Sequence, residues 1–146
     1  MPVLEQVLEQ YPQQVKLVFK NFPLSSHSFA YKAAQASMAA EKQGKFWEFH
    51  DLLFKNYNRI NDQKITEIMT DLNLDADQFQ RAMQDPAIKA QIDADLRNGD
   101  TAGVRGTPTI FINGKLLRDK SLAGFQRQIN EELMQLKAGD KTQSKN

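Results

Sequence analysis

Apolar residues recur along this chain at two spacings, and the spacing predicts the elements. Val3, Leu4, Val7, Leu8 and Tyr11 fall on one helical face with Glu5, Gln6, Glu9 and Gln10 between them, which predicts a short amphipathic helix stopped before Pro12. The spacing then changes to two. Val15, Leu17 and Phe19 alternate with Lys16, Val18 and Lys20 in a run rich in strand-forming residues, so 15–20 predicts a strand with at least one buried face. Asn21 to Ser28 holds the proline and small polar residues of a loop, and Ser28 is placed to cap the next helix. Alanines at 30, 33, 34, 36, 39 and 40 give 29–43 high helix propensity and a narrow surface for close packing, ended by Gly44. In 45–56, Phe46, Phe49, Leu53 and Tyr57 form one stripe and Trp47, Asp51 and Phe54 another, which predicts a helix wedged between the core and a further helix.

Two shorter helices are predicted next, 63–72 with Ile65, Ile68, Met69 and Leu72 inward, and 75–83 with Phe79 and Met83 inward. Asp75 with Gln78 has the spacing of a capping box. Asp85-Pro86 opens a helix carried by Ile88, Ile92 and Leu96 to about Gly99. After Gly103 the alternation returns, with a strand at 109–112, an Asn113-Gly114 turn of the kind that favours type I′, and an antiparallel return at 115–117. Ser121 caps a last helix whose stripe is Leu122, Phe125, Ile129, Leu133 and Leu136, and a polar tail follows from Gly139.

Composition narrows the function classes. The 146 residues suit one compact domain that buries a core without disulfides or a structural metal. Charged residues make up 25% of the chain but nearly cancel to +1, so a nucleic-acid partner is not expected. The longest apolar runs are too short to cross a bilayer, and no basic segment with a long apolar core follows Met1. The chain as written therefore reads as cytoplasmic, with no membrane partner. It would be periplasmic or otherwise extracytoplasmic if a longer parent carried an export signal. There is no cysteine.

Several segments, in order, carry a resemblance that spans nearly the whole chain. They are Val15 to Leu24 with its Asn21-Phe22-Pro23-Leu24 end, His27, the run from Gln43 to Phe54, and Gly103-Val104-Arg105-Gly106-Thr107-Pro108-Thr109. Together they resemble the DsbA-like branch of the thioredoxin superfamily of disulfide oxidoreductases. The resemblance implies an α/β, thioredoxin-like fold lacking the first β-strand, a single domain over 1–139 with a helical insertion at about 29–101, and a polar tail at 140–146. In that family a strand and a Cys-x-x-Cys motif come first, with the motif at a helix start where the dipole and free N–H groups stabilise the thiolate. Here the matching segment begins inside that helix, so strand and motif are expected to lie before Met1, the chain reading as N-terminally truncated. In the family fold the missing strand lies between 15–20 and 109–112. The two are expected either to close the gap directly or to be paired by a second copy, because strand edges left open are costly.

The resemblance gives no residue a catalytic role. Its site is the loop Arg105, Gly106, Thr107 and Pro108, with Pro108 as the cis-proline and Thr107 offering its backbone to an extended peptide or protein substrate. The plainer alternative is a retained turn. His27 and His50, even with Asp51, lack metal-ligand spacing, so no metal and no cofactor is expected. Ser25, Ser26 and Ser28 beside His27 have no nucleophile elbow or oxyanion loop. Phe46, Trp47, Phe49 and Phe54 fit core packing better than a peptide groove, Lys16, Lys20, Lys42, Lys45 and Lys55 form no phosphate track, and Gly99, Gly103 and Gly106 form no nucleotide fingerprint. The leading expectation is a disulfide oxidoreductase family member that is redox-inactive as this chain, because no other side chain exchanges with a disulfide. One alternative is a non-catalytic peptide-binding module that self-associates into a homo-oligomer through exposed strand edges. Another is a glutathione-dependent transferase or isomerase whose serine would fall before Met1.

Overall fold

The computed structural model describes residues 2–143. Seven helices and one hairpin follow in order: α1 Pro2–Gln10, α2 Ala30–Glu41, α3 Phe46–Lys55, α4 Asp62–Asp71, α5 Ala76–Met83, α6 Pro86–Thr101, β1 Phe111–Ile112, β2 Lys115–Leu116 and α7 Leu122–Gln143, with a 3-10 turn at Tyr57–Arg59. The chain divides into two compact units, one made of 20–105 and the other of 1–19 with 106–146. Of the expected polar tail at 140–146, helix α7 takes in the part to Gln143, and 144–146 lie outside the described residues.

The 20–105 unit is a helical body around Ala36, Ala39, Ala40, Phe49, Leu53, Ile65, Ile68, Phe79, Ile88 and Ile92. The alanine face of α2 is its centre, since residues without large side chains let α3, α5 and α6 approach closely. Phe49 and Phe79 are fully buried and stack with ring centroids 5.6 Å apart. Helix starts follow local chemistry. Asn61 accepts from the Lys64 N–H, Asp75 from that of Gln78 and Asp85 from that of Ala87, with Pro86 in the first turn where no N–H is required. The capping box at Asp75 is closed from elsewhere, because Gln43 Oε1 rather than Gln78 receives the Asp75 N–H at 2.8 Å. Gln43 Nε2 also donates to Asp75 O, which ties the end of α2 to the start of α5.

Three helix expectations are corrected. Ser28 does not cap α2, which is preceded by turns and has Phe29 at its cap position without a side-chain bond. Phe49 and Leu53 of the first stripe of α3 are buried but its Tyr57 is exposed, and Trp47 and Phe54 of the second stripe are exposed, so among the described residues no helix covers that second stripe. α6 runs to Thr101, past Gly99, because Gly99 is needed for space rather than for a stop. The Phe22 ring lies over it, and a Cβ there would sit 2.6 Å from the ring Cδ2 and Cε2. Gly99→Ala is expected to cost about 1–2 kcal/mol in urea unfolding, since an aromatic ring can shift but not without repacking.

The other unit gathers Val7 of α1, Leu117, and Phe125 and Ile129 of α7 into a small core, with Val3, Leu4, Val15, Ile110, Ile112, Leu122 and Leu133 packed on it. Leu136, expected inward, is 62% exposed, one turn beyond the reach of this cluster. The hairpin pairs Phe111 with Leu116 and Ile112 with Lys115, and Leu117 N–H donates to Ile110 O at 2.9 Å. Asn113 and Gly114 both have positive φ, 48° and 78°, as a type I′ turn demands.

The expected strand at 15–20 is the main correction. Among the described residues the sheet has two strands, β1 and β2, and 15–24 forms no ladder with either. The alternative in which 15–20 and 109–112 close the gap directly is therefore not realised. A β-rich sequence becomes a strand only when another strand meets it, and 15–20 meets none within the described chain.

Candidate functional site

The loop before β1 is set by its flanks. In the 20–105 unit, Val104 N–H donates to Gly99 O at 2.9 Å, which closes the end of α6 and leaves Arg105 exposed after it. In the other unit, Thr109 Oγ1 donates to Gly106 O at 2.7 Å and the Lys120 ammonium donates to Pro108 O. The Thr107–Pro108 peptide bond is cis. Thr107 and Pro108 are both exposed between these two braces. Among the described residues the Thr107 N–H and C=O have no hydrogen-bond partner. An exposed donor and acceptor on one residue, held by neighbours that are themselves bonded, is what an extended chain can pair with.

The turn carrying Lys120 is itself fixed. Asp119 Oδ1 accepts the Ser121 N–H and Oδ2 accepts from Arg127, both at 3.0 Å, and these bonds hold the exposed Asp119 carboxyl below the usual carboxylate range. Ser121 Oγ in turn accepts the Gly124 N–H at 3.2 Å, the cap expected for α7. The hairpin is anchored to the same helix: Lys115 pairs with Glu132 at 2.6 Å, and Asn113 donates to the other Glu132 oxygen at 3.1 Å. Lys115 first, then Asn113, holds the Glu132 carboxyl low.

The remaining candidates do not form a centre. His27 is exposed in the loop before α2. His50 is half-buried among Phe46, Trp47 and Phe54, its closest ring contact being Phe54 at 4.5 Å, and burial pushes its imidazole pKa down against the pull of Asp51. Among the described residues no group of three or more histidine, aspartate or glutamate side chains is arranged to hold a metal ion. No helix among them is long and apolar enough to cross a membrane. A different polar cluster was missed in the sequence: Asp95 of α6 is buried and accepts from the Asn21 N–H at 3.0 Å, the Asn21 amide at 3.2 Å, Lys20 at 3.2 Å and Gln91 at 3.0 Å. Gln91 to Asp95 is an i, i+4 pair, but partners 74 and 75 residues away leave no local trace.

A small hairpin packed on helices, with a cis-proline loop leading into it, defines a thioredoxin-like fold. The model of the DSBA-like thioredoxin domain matches residues 1–130, and the chain belongs to that family. Solved structures agree on the fold. A thioredoxin-like oxidoreductase from Silicibacter pomeroyi DSS-3 superposes with a TM-score of 0.79 at 24% identity, covering 92% of this chain and 77% of that one. The thiol-disulfide exchange protein alpha-DsbA2 from Wolbachia pipientis gives 0.77 at 22% identity, covering 89% and 71%. Among curated proteins, the Na(+)/H(+) antiporter NhaA 3 of Salinispora tropica is 35% identical over 115 residues and NhaA 1 of Salinispora arenicola 33%. Each match takes in 78% of this chain but 18% of the antiporter, so the chain spans about a fifth of the length of these relatives.

Proposed function

We propose that this chain is a DsbA-like domain without thiol redox chemistry of its own, and that it binds an extended polypeptide at the loop Arg105, Gly106, Thr107 and Pro108. The observation that carries the reading is that the N–H and C=O of the exposed Thr107, between the bonded Gly106 and Pro108 carbonyls, have no partner among the described residues. A bound strand would take both groups into a short antiparallel pairing, with main-chain bonds giving affinity and the adjoining side chains selecting sequence. The composition supports the other half: thiol-disulfide exchange proceeds by thiolate attack on sulfur, and the chain contains no cysteine.

Two measurements test it. With dithiothreitol as reductant, insulin reduction is expected to proceed at the rate of the blank without protein, and acceleration above the blank would overturn the redox-inactive reading. Titration with reduced, carboxymethylated insulin B chain is expected to shift the amide resonances of Gly106, Thr107 and Thr109 more than those of α4. Shifts that leave 105–109 untouched would remove the loop as the binding site.

The antiporter matches favour a second reading of context. A domain of this family is proposed to work as one module of a larger membrane protein, with the loop engaging segments of that polypeptide. The intact mass of the mature protein from its native source separates the readings, because a module of this kind appears only within a much heavier chain.

A further inference from the structure

Charge is not spread evenly along the chain. The whole carries +1, yet the stretch 101–121, which holds the loop at Thr107, sets Arg105, Lys115, Arg118 and Lys120 against Asp119 alone. Two of these five are already paired: Lys115 lies 2.6 Å from Glu132, and Asp119 lies 3.0 Å from Arg127. The other three, Arg105, Arg118 and Lys120, are exposed, and among the described residues none of them has a carboxylate within ion-pair distance. The hairpin and the chain place them at the loop. Arg105 directly precedes Gly106. The Lys120 ammonium, held at Pro108 O, uses one of its three donors there. The bond from Leu117 N–H to Ile110 O carries the hairpin pairing one step past β2, which sets Arg118 opposite Thr109.

We infer that the polypeptide taken up at Thr107 is acidic, with aspartate or glutamate beside the residue that pairs with Thr107. The inference rests on the proposed binding loop and adds the class of sequence that the loop selects. Main-chain bonds to Thr107 are the same for any sequence, so selection falls to the side chains around them. Directly opposed residues of an antiparallel pair have Cβ atoms about 4.5–5.5 Å apart, and a carboxylate next to the paired residue therefore comes within reach of the long side chains of Lys120, Arg118 or Arg105. An arginine gives it two parallel N–H donors, and Lys120 gives a compact charge with donors to spare. A basic segment would meet like charges at the same positions and is disfavoured. All three cations are exposed, so each pair contributes modestly and salt screens it.

The test uses two extended peptides that are identical except for glutamate or glutamine on either side of a central residue. Each is titrated against the 146-residue chain, with affinity read by fluorescence anisotropy and position by the amide resonances of 105–109. The glutamate peptide is expected to bind about fivefold tighter at low salt, the effect of two or three exposed ion pairs. The two peptides are expected to converge at about 1 M salt, where charges are screened within about 3 Å. R105Q and R118Q are each expected to lower the ratio of the two affinities, whereas K89Q, which removes an exposed cation of α6, is expected to keep it. Equal affinities with shifts at 105–109 would overturn the acidic preference and leave the binding loop standing. A preference that survives both R105Q and R118Q at full size would overturn it too, by placing its source elsewhere. No shift at 105–109 with either peptide would remove the binding loop itself.

Discussion

Gly124→Ala is expected to destabilise the protein by about 3 kcal/mol, because a Cβ at this position has no room to enter. Built on the glycine, it would fall on the carbonyl oxygen of Asp119, 2.8 Å from that residue's carbonyl carbon and 2.6 Å from its Cγ. The obstacle is backbone held from three directions. Asp119 is bonded to Ser121 and Arg127, the next residue, Lys120, is bonded to Pro108 O, and Gly124 donates its own N–H to Ser121. The first turn of α7 and the Asp119 turn must therefore separate, and they take the Lys120 brace of the proline loop with them. Urea unfolding is the measurement, with Gly106→Ala as control. A Cβ at Gly106 meets nothing within 4 Å, and that variant is expected to stay within about 0.5 kcal/mol of the parent. A Gly124→Ala protein as stable as the control would show that the Asp119 turn is free to move. The same variant is expected to lose binding at Thr107 before it loses its helix content.

The elements legible in the sequence are those whose cause is local. Asp75, Asp85 and Ser121 make the capping bonds their spacing announces, and Asn113-Gly114 takes the two positive φ values its composition favours. The cis-proline loop was legible as a motif, and its setting was partly so: nothing near residue 107 points to Lys120, twelve positions after Pro108, as the donor to the Pro108 carbonyl. What misled was alternation. Val15 to Lys20 has the composition of a strand, but a strand is a relation between two segments, and only one of them is present among the described residues. The second stripe of α3 misled for a similar reason. Trp47, Asp51 and Phe54 have the right period for packing, and period says which residues share a face without saying whether anything covers it. Gly99 reads as the end of a helix, whereas it lies inside one, as Gly124 does, where a neighbour comes too close for a side chain.

Asp95→Ala is expected to cost about 3 kcal/mol at neutral pH, with a pH dependence that a packing defect would not show. The carboxylate accepts from the Asn21 N–H, the Asn21 amide, Lys20 and Gln91, and both Asp95 and Asn21 are buried, so deletion strands donors that water cannot reach. Lys20 contributes least, because its side chain is half exposed and screened. Burial pushes the Asp95 carboxyl upward, but the Asn21 bonds, with those of Lys20 and Gln91, outweigh it and hold the folded pKa below the ordinary carboxylate value. A lowered folded pKa means that the unfolded chain binds the proton first as pH falls. The stabilisation is then complete above the ordinary aspartate value of about 3.9 and is lost as pH drops through the lower folded value. Asp95→Asn, which keeps the shape but turns one acceptor into a donor facing donors, isolates the charge. Its stability deficit against the parent is expected to be largest near neutrality and to shrink below about pH 4. Urea titrations of both proteins at neutral and acidic pH read this directly, and a deficit that does not change with pH would mean that Asp95 acts through its volume alone.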